Sequence, residues 1–436
     1  MGAELEASLL PIDGKDTIEA RDQSKKYMLA RLPKPVSLFS RSFSIDTFYN
    51  ALLVSALSIA AFSNDFNTID DVLQYIGFFV VTWSSWYLNT TYRCHFSGRS
   101  WVDSFAQASH CFMLFLFTAS GADIHAKSHG LVNFANTPIQ AVVIGSRALL
   151  LLQCMHALWQ RWDDERSRTH LAFNLNLKAA ALVFYVLLFK QHFQPLFCSV
   201  AVLECIIETV INAPSNDAEP SHFNLTERME TATYTMLGSS FLAFAKLLSD
   251  LLNSDRAHLE IMDFGNVVCF LPLMYLLYKL YCPHDHGHAD VLKHRYTAWI
   301  IQHGPLHFGL VLSITILRRS ILQHETPLAT LQIGEASIGL VAVSSTLVSL
   351  ALLNVLKEPS NIIQPALLVL VVFALYSPLL QPIWRDADAS KLSSYALPIL
   401  VTLLAGVDVL VERLSRQSSS QDEQELGLLD SASDLV

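Results

Sequence analysis

The sequence predicts an all-α fold, a polytopic bundle of about eight to twelve transmembrane helices. Apolar residues make up 52% of the 436 residues, and charged residues only 16%. The mean hydropathy of +0.36 is far from the balance of an ordinary soluble domain. Because a lipid-exposed backbone must satisfy its own hydrogen bonds, long apolar runs are expected to be helices rather than strands.

About a dozen stretches are long and apolar enough to cross a bilayer, whose core of about 30 Å takes about 20 apolar residues per helix. Charged residues interrupt several of them, so the expected number of helices is a range. The stretches lie near residues 44–63, 72–91, 101–120, 138–160, 171–190, 194–212, 232–252, 261–282, 298–317, 334–356, 362–383 and 395–411.

Three segments are expected along the chain: a cytosolic polar segment over 1–43, the transmembrane bundle over 44–411 and an acidic, disordered cytosolic tail over 412–436. Residues 1–40 contain no apolar core of signal-peptide length, so the first helix is expected to act as the insertion signal. Basic residues before this helix predict a cytosolic N-terminus. We expect an integral, multi-pass protein of the endomembrane system, in the endoplasmic reticulum.

Two glutamates in "VLECIIETVIN" stand out, because an ionisable group at membrane depth is costly and therefore a functional hypothesis. Glu204 and Glu208 lie four residues apart, which places them on one helix face. If both face one cavity of low dielectric, one of them is expected to hold a proton and serve as an acid. In the alternative reading, Glu208 reaches water at the helix end and Glu204 pairs with a lysine or histidine. Lys178 is expected to snorkel.

A histidine pair lies inside the apolar run "IIQHGPLHFGLVLSITIL". His303 and His307 share a helix face, and Pro305 between them loosens the helix. Three roles stay open for the pair: structural hydrogen bonding, contact with a substrate in a cavity, and half of a metal site. No third ligand accompanies them, so neither a metal nor another cofactor is expected.

Polar residues also cluster in "SHFNLTERMETATYTMLGSS". Thr226 and Glu227 are expected to open a helix, with the carboxylate favoured by the helix dipole in the first turn. Arg228 would then serve as a partner for an anion or a carboxylate, and His222 lies six residues before it.

Four segments of the chain resemble the low temperature requirement A (LtrA) family of multi-pass membrane proteins, in its fungal branch. "DTFYNALLVSAL" is similar to the family's "ELFYDLFFVANL", and "TYRCHF" to "TYDVRF". "HFNLTERMETATYTMLGSS" is similar to "HLTERFGLLTIIVLGEG", and "QHGPLHFGLVL" to "LHFPLHLALVL". The resemblance spans residues 40–320 and implies a multi-pass membrane protein that has diverged from the family.

The chain departs from the family pattern at polar positions. Asn50 replaces an aspartate, Arg93 replaces another, His95 replaces an arginine, and Ser239 stands where the family has a glutamate. If relatives use those carboxylates to move protons or cations, this chain lacks them. The pattern suggests a relative repurposed for chemistry on a lipophilic substrate.

The leading hypothesis is a membrane-embedded terpene cyclase of secondary metabolism, an isomerase-type or lyase-type enzyme without cofactor. An acid would open an epoxide or alkene of a prenylated, meroterpenoid-type substrate inside a dry, aromatic pocket. The acid is sought among Glu204, Glu208, Glu227 and Asp46, and His303 and His307 would orient a hydroxyl or act as base. The residues expected to contact substrate are Asn50, Trp83, Tyr87, His222 and Arg228.

Two other classes of function stay open. One is a proton-coupled or ion transporter or channel, in which the same groups form a path, and the other is a structural or stress-related membrane protein. The expected partners are a lipophilic small molecule and the lipid bilayer. The net charge of −10 lies largely in the chain ends and does not favour nucleic acid. The oligomeric state is left open.

Overall fold

The structure is a computed structural model that describes most of the bundle. The described residues are 41–63, 66, 69–96, 100–122, 138–189, 194–212, 221–253, 261–281, 293–322, 332–357, 366–369, 371, 403, 404 and 406. The chain divides into two compact units, residues 1–46 and 47–436. The polar segment up to residue 40 and the tail over 412–436 lie outside the described residues, so their expected roles stay predictions.

The predicted all-α fold is confirmed: the described residues form helices and no strands. Each of the first ten apolar stretches falls on one helix, and the last two lie mostly outside the described residues. In chain order, the helices are α1 (Arg41–Ser63), α2 (Ile69–Phe96), α3 (Trp101–Ala122), α4 (Pro138–Gln160), α5 (Glu165–Leu187), α6 (Gln194–Ile211), α7 (Ser221–Asn253), α8 (Ile261–Tyr281), α9 (Lys293–Leu322) and α10 (Gln332–Lys357).

Four of the described helices are long and apolar enough to cross a membrane. The candidate spans are Ile45–Ser63 in α1, Pro138–Gln160 in α4, Ser167–Leu187 in α5 and Arg295–Ile316 in α9. These segments support a membrane protein, as the composition predicts. The compartment and the orientation of the chain stay predictions.

Two neighbouring helices are polar inside and apolar outside, which is the reverse of a soluble helix. On α5, Lys178 is buried while Phe184 is 56% exposed. On α6, Glu204 and Glu208 are buried while Leu203 is 57% exposed. An apolar outer surface suits contact with lipid, and polar groups at membrane depth normally face the bundle interior.

Helix α2 is the buried centre of the described bundle. Every side chain from Val81 to Tyr92 is buried. The helix packs against α3, α4, α6 and α7. Hydroxyl and amide side chains are frequent on it, so polar groups are presented to several neighbouring helices at once. This central position makes α2 the element that places the candidate site.

Side-chain contacts fix the direction of α2 relative to α6. The Tyr87 hydroxyl lies 2.6 Å from Thr209 Oγ1. Ten residues earlier on α2, the Gly77 carbonyl accepts a contact from Cys198 Sγ at 3.8 Å. Both contact pairs advance in the same direction along the two helices, so α2 and α6 run parallel.

Local sequence signals start two of the helices. Ser100 precedes α3, and its Oγ accepts from the Asp103 backbone N–H at 3.1 Å while Asp103 Oδ2 accepts from the Ser100 N–H at 3.4 Å. This reciprocal capping box satisfies donors that a helix N-terminus leaves free. Pro138 begins α4, where its fixed φ suits the first helical turn and no amide hydrogen is needed.

A glycine allows α9 and α10 to approach closely. A Cβ at Gly309 would lie 2.9 Å from the Thr346 backbone nitrogen and 3.2 Å from the Ala342 carbonyl oxygen, and it would also collide with Thr346 Oγ1. Small residues at such contacts let the backbones of membrane helices pack together. Only glycine fits at position 309 without moving one helix.

We expect Gly309→Ala to lower the free energy of unfolding by about 1–3 kcal/mol, because the added Cβ has to push two helix backbones apart. Gly304→Ala is the matched control, since its Cβ would meet only Trp83 side-chain atoms at 3.6 Å or more. Thermal unfolding of the purified protein in detergent compares the two variants. Equal melting temperatures would contradict the close packing of α9 on α10.

Candidate functional site

Four charged side chains from three helices form a buried ionic cluster: Arg147 of α4, Lys178 of α5, and Glu204 and Glu208 of α6. Arg147 Nε donates to Glu204 Oε2 at 2.8 Å. Lys178 Nζ lies 3.4 Å from Glu204 Oε1 and 2.9 Å from Glu208 Oε2. The four side chains are at most 2% exposed. Two cations therefore balance two carboxylates away from solvent.

The guanidinium of Arg147 is held on all its sides. Its Nη1 donates to Ser85 Oγ at 2.9 Å, and its Nη2 donates to Ser84 Oγ at 2.9 Å. The ring of Tyr185 lies 5.5 Å from Cζ, within cation–π distance. Two short hydroxyl side chains on α2 thus make room for the arginine head and satisfy its donors. The fork geometry of arginine suits this multi-partner role.

Lys178 links the two glutamates. Its contact with Glu208 Oε2 is an ion pair by distance but not an aligned hydrogen bond, so this oxygen retains room for a second donor. The lysine lies between one carboxylate at 2.9 Å and another at 3.4 Å. A small displacement is enough to move it from one partner to the other.

The structure confirms part of the prediction for the glutamates and corrects the rest. Glu204 and Glu208 do share one helix face, since both reach Lys178, and Glu204 does pair with a lysine. One part of the alternative reading and the expectation for Lys178 are wrong: Glu208 is not exposed to bulk solvent at the helix end, and Lys178 does not snorkel, because each has a charged partner inside the bundle. An acid role for either glutamate stays a prediction.

The site prediction included the two glutamates of this cluster but neither of its cations, Arg147 and Lys178. A single cation in an apolar stretch has no spacing pattern that indicates its partner. The available signal was the set of charges far from the helix ends in three consecutive helices: Arg147 in α4, Lys178 in α5, and the two glutamates in α6. Buried charges are rarely left unpaired, so four charges of zero net sum predict mutual contact.

A second group of buried side chains, the histidine cluster, surrounds His307 of α9. Trp83 Nε1 donates to His307 Nδ1 at 3.1 Å. On the other side of the ring, His307 Nε2 lies 2.8 Å from Thr233 Oγ1, whose hydroxyl donates to the Met229 carbonyl. Because the Trp83 indole is a donor only, His307 Nδ1 must accept and Nε2 must carry the proton. Both ring nitrogens are therefore occupied.

His303 completes the histidine cluster with the opposite tautomer. Its Nδ1 lies 2.9 Å from the Trp299 carbonyl, which can only accept, so Nδ1 carries the proton. Its Nε2 lies 3.0 Å from the Tyr281 hydroxyl, which then donates to it. The rings of His303 and His307 lie 5.7 Å apart, and both are fully buried. The histidines face the bundle interior, and of the three open roles their contacts match structural hydrogen bonding.

The predicted substrate contacts on α1 and α2 are packed against each other. The rings of Trp83 and Tyr87 stack in parallel with centroids 5.1 Å apart. Asn50 Oδ1 accepts from Trp86 Nε1 at 3.0 Å. Trp83 thus links the predicted histidine pair to the predicted aromatic residues. A role in substrate binding stays a prediction for these residues.

The remaining predicted site residues lie on α7 and near the start of α1. Glu227 is exposed and Arg228 is half-buried on α7. The expectation that Thr226 and Glu227 open this helix was wrong, because α7 begins five residues earlier at Ser221. Asp46 is half-buried near the start of α1. The side chain of His222 lies outside the described residues.

Within the described part of the chain, no group of three or more His, Cys, Asp or Glu side chains is close enough to hold a metal ion. The chain was also compared with known proteins. A scan against protein-family models matches no family, and searches among curated proteins and among solved structures return no match. The resemblance to the LtrA family therefore rests on the four segments quoted above.

Lys178→Met is expected to lower the free energy of unfolding by about 3–5 kcal/mol, because it leaves the Glu208 carboxylate buried without a cation. Adding Glu208→Gln to Lys178→Met should recover part of this loss, since Glu204 keeps Arg147. Thermal unfolding of the wild type, both single variants and the double variant measures the coupling. Additive effects would mean that Lys178 and Glu208 are not paired.

Nitrogen-15 NMR of histidine-labelled protein is expected to find His303 protonated on Nδ1 and His307 protonated on Nε2 near neutral pH, because their partners impose opposite tautomers. Trp83→Phe, which removes the donor to His307 Nδ1, should change the His307 signals most. A proton on Nε2 of His303, or a doubly protonated ring, would contradict the hydrogen-bond directions assigned to this cluster.

Proposed function

We propose that the chain is an integral membrane protein that carries protons across the bilayer, and that the ionic cluster is its proton-carrying site. One observation carries the proposal: four charges on α4, α5 and α6 are paired with one another in the bundle interior. Two of these helices, α4 and α5, are candidate membrane spans. Intramembrane ionisable groups that face a bundle interior are typical of ion and proton pathways.

Stability alone does not account for the ionic cluster. Taking charges out of water costs several kcal/mol per ion, and well-packed apolar residues of similar volume often replace a buried ion pair without loss of stability. An apolar interior would therefore serve a purely structural bundle equally well. The presence of four charged side chains in the bundle interior favours a function in which one of them gains and loses a proton.

Lys178 provides the moving part of the proposed mechanism. A proton that binds the Glu208 carboxylate neutralises the nearer partner of Lys178, which then turns to Glu204, at present 3.4 Å away. When Glu208 releases its proton, the lysine returns. Protonation thus selects between two arrangements of one cation, which is the bistable element that a switching protein needs. Arg147 keeps Glu204 in place through both steps.

A proton fits the ionic cluster better than a metal cation does. Hard metal cations take six or more oxygen ligands in proteins, whereas the carboxylates here already face two positive side chains. A proton needs only one carboxylate oxygen. We also propose that the chain is LtrA-like. In that family, the ionic cluster would take over the proton transfer of the carboxylates that Asn50, Arg93 and Ser239 replace.

The terpene cyclase stays the second candidate. The stacked rings of Trp83 and Tyr87 beside Trp86 favour it, because aromatic faces stabilise a carbocation. A cyclase also needs a protonated carboxylic acid. Glu204 and Glu208 suit this role poorly, because protonation of either one would break its ion pair with Arg147 or Lys178. Glu227 and Asp46 are the carboxylates that remain for this role.

Proteoliposomes with a pH-sensitive dye inside test the proposed transport. The wild-type protein is expected to dissipate an imposed pH gradient, and Glu208→Gln is expected to reduce the flux to that of empty liposomes. The double variant Lys178→Met with Glu208→Gln keeps the charge balanced and should be equally inactive, which separates transport from misfolding. Glu165→Gln, on an exposed residue of α5, is the matched control and should keep full flux.

Wild-type flux no greater than that of empty liposomes, or full flux in both Glu208 variants, would overturn the transport assignment. The cyclase would then be tested by incubating membranes with prenylated phenols and their terminal epoxides. A product of unchanged mass that is absent with Glu227→Gln would support the enzyme.

A further inference from the structure

We infer that a narrow column of water between α5 and α6, lined by His170, Asn174 and Asn212, connects the ionic cluster to one side of the membrane. That side is the one where α5 begins and α6 ends. That the transported ion is a proton rests on the proposed function. The presence of water in the column rests only on the contacts between α5 and α6.

Contacts between α5 and α6 place these residues in register. His170 Nε2 lies 3.3 Å from the Ile211 carbonyl, near the start of α5 and the end of α6. Two turns further along α5, Lys178 reaches Glu208. Asn174 lies midway between the two contacts, four residues from each of His170 and Lys178, and so faces α6 as they do. Asn212 follows Glu208 by four residues and faces α5 for the same reason.

Two buried amide oxygens on this interface point to a ligand. The Asn174 amide nitrogen donates to the His170 carbonyl, and the Asn212 amide nitrogen donates to the Glu208 carbonyl. A carbonyl can only accept, so these bonds fix which end of each amide is nitrogen. The oxygens Asn174 Oδ1 and Asn212 Oδ1 are left without a hydrogen-bond partner, although the two residues are only 1% and 4% exposed.

Water is the ligand that this set of atoms would take. The two amide oxygens are acceptors without a donor, and Glu208 Oε2, which lies 2.9 Å from Lys178 Nζ, can accept from a further donor. A metal cation is disfavoured here because Lys178 Nζ lies 2.9 Å from Glu208 Oε2. Buried water typically makes about three hydrogen bonds to polar groups that otherwise lack partners. A file of water would also place a hydrogen-bonded route between His170 and the ionic cluster.

The opposite side of the ionic cluster is closed by apolar and aromatic side chains. Tyr185 covers the Arg147 head, and its ring lies 4.8 Å from the ring of Phe197. Val81 on α2 and Ala201 on α6, each about one turn further from the polar end, are fully buried. In the proposed arrangement, water therefore reaches the ionic cluster from the side of the column. A proton that enters through the column would reach Glu208 before it meets this barrier.

Cysteine accessibility tests the column directly. Asn174→Cys in sealed proteoliposomes should react with silver ion added to one side only, measured as protection of that thiol from later alkylation by mass spectrometry. Asn176→Cys is the matched control: it lies two residues away on the exposed face of α5, where lipid should exclude the ion. Asn212→Cys serves as a second reporter if Asn174→Cys folds poorly, and the wild type gives the reactivity of the native thiols.

Reaction of Asn174→Cys or Asn212→Cys from one side, without reaction of Asn176→Cys, supports the column. Failure of both reporters to react, or equal reaction from both sides, overturns it. Proton flux tests the function of the column. The double variant Asn174→Leu, Asn212→Leu should reduce the flux to that of empty liposomes, and Asn176→Leu should leave it unchanged. If the reporters react but the wild type carries no protons, the proposed function fails and the column stands.

Discussion

The pairing of Arg147 with Glu204 is the interaction on which the described bundle depends. A guanidinium stays charged even when it is buried, so the buried Arg147 side chain needs a carboxylate and further hydrogen-bond acceptors around it. Glu204 comes from α6 and the two serine hydroxyls come from α2. One arginine on α4 therefore fixes the positions of two other helices. Lys178 extends the same requirement to α5.

Helix α2 separates two kinds of polar interior. Ser84 and Ser85 are small enough to admit the arginine head on one side. The adjacent Trp83 fills the space toward α9 and donates its indole N–H to a histidine. Consecutive residues on a buried helix point in different directions, so one short segment serves both clusters. The charged interior and the neutral interior are thus held apart by a single helix.

Single-sequence reasoning predicts the helices well and the partners poorly, for physical reasons. Helix lengths follow from bilayer thickness, and the shared face of Glu204 and Glu208 follows from helical periodicity. Which cation pairs with which glutamate depends on how the helices are arranged, and helical periodicity does not fix that arrangement. Lys178 was expected to snorkel because its long side chain can do so, but it lies 13 positions beyond the start of α5. At about 1.5 Å per residue, that depth favours an internal partner.

Histidine is the residue usually sought for proton chemistry, yet the proposed function places that chemistry on a glutamate. A proton added to His307 Nδ1 would place two donors, the imidazole N–H and the Trp83 indole N–H, opposite each other. His307 could then no longer accept the hydrogen bond from Trp83. A proton added to Glu208 frees Lys178, which has a second carboxylate within 3.4 Å. The first change removes the hydrogen bond from Trp83 to His307, and the second converts one ion pair into another. The proposed transport function therefore places the proton on Glu208, whose cation Lys178 has a second carboxylate, Glu204, close by.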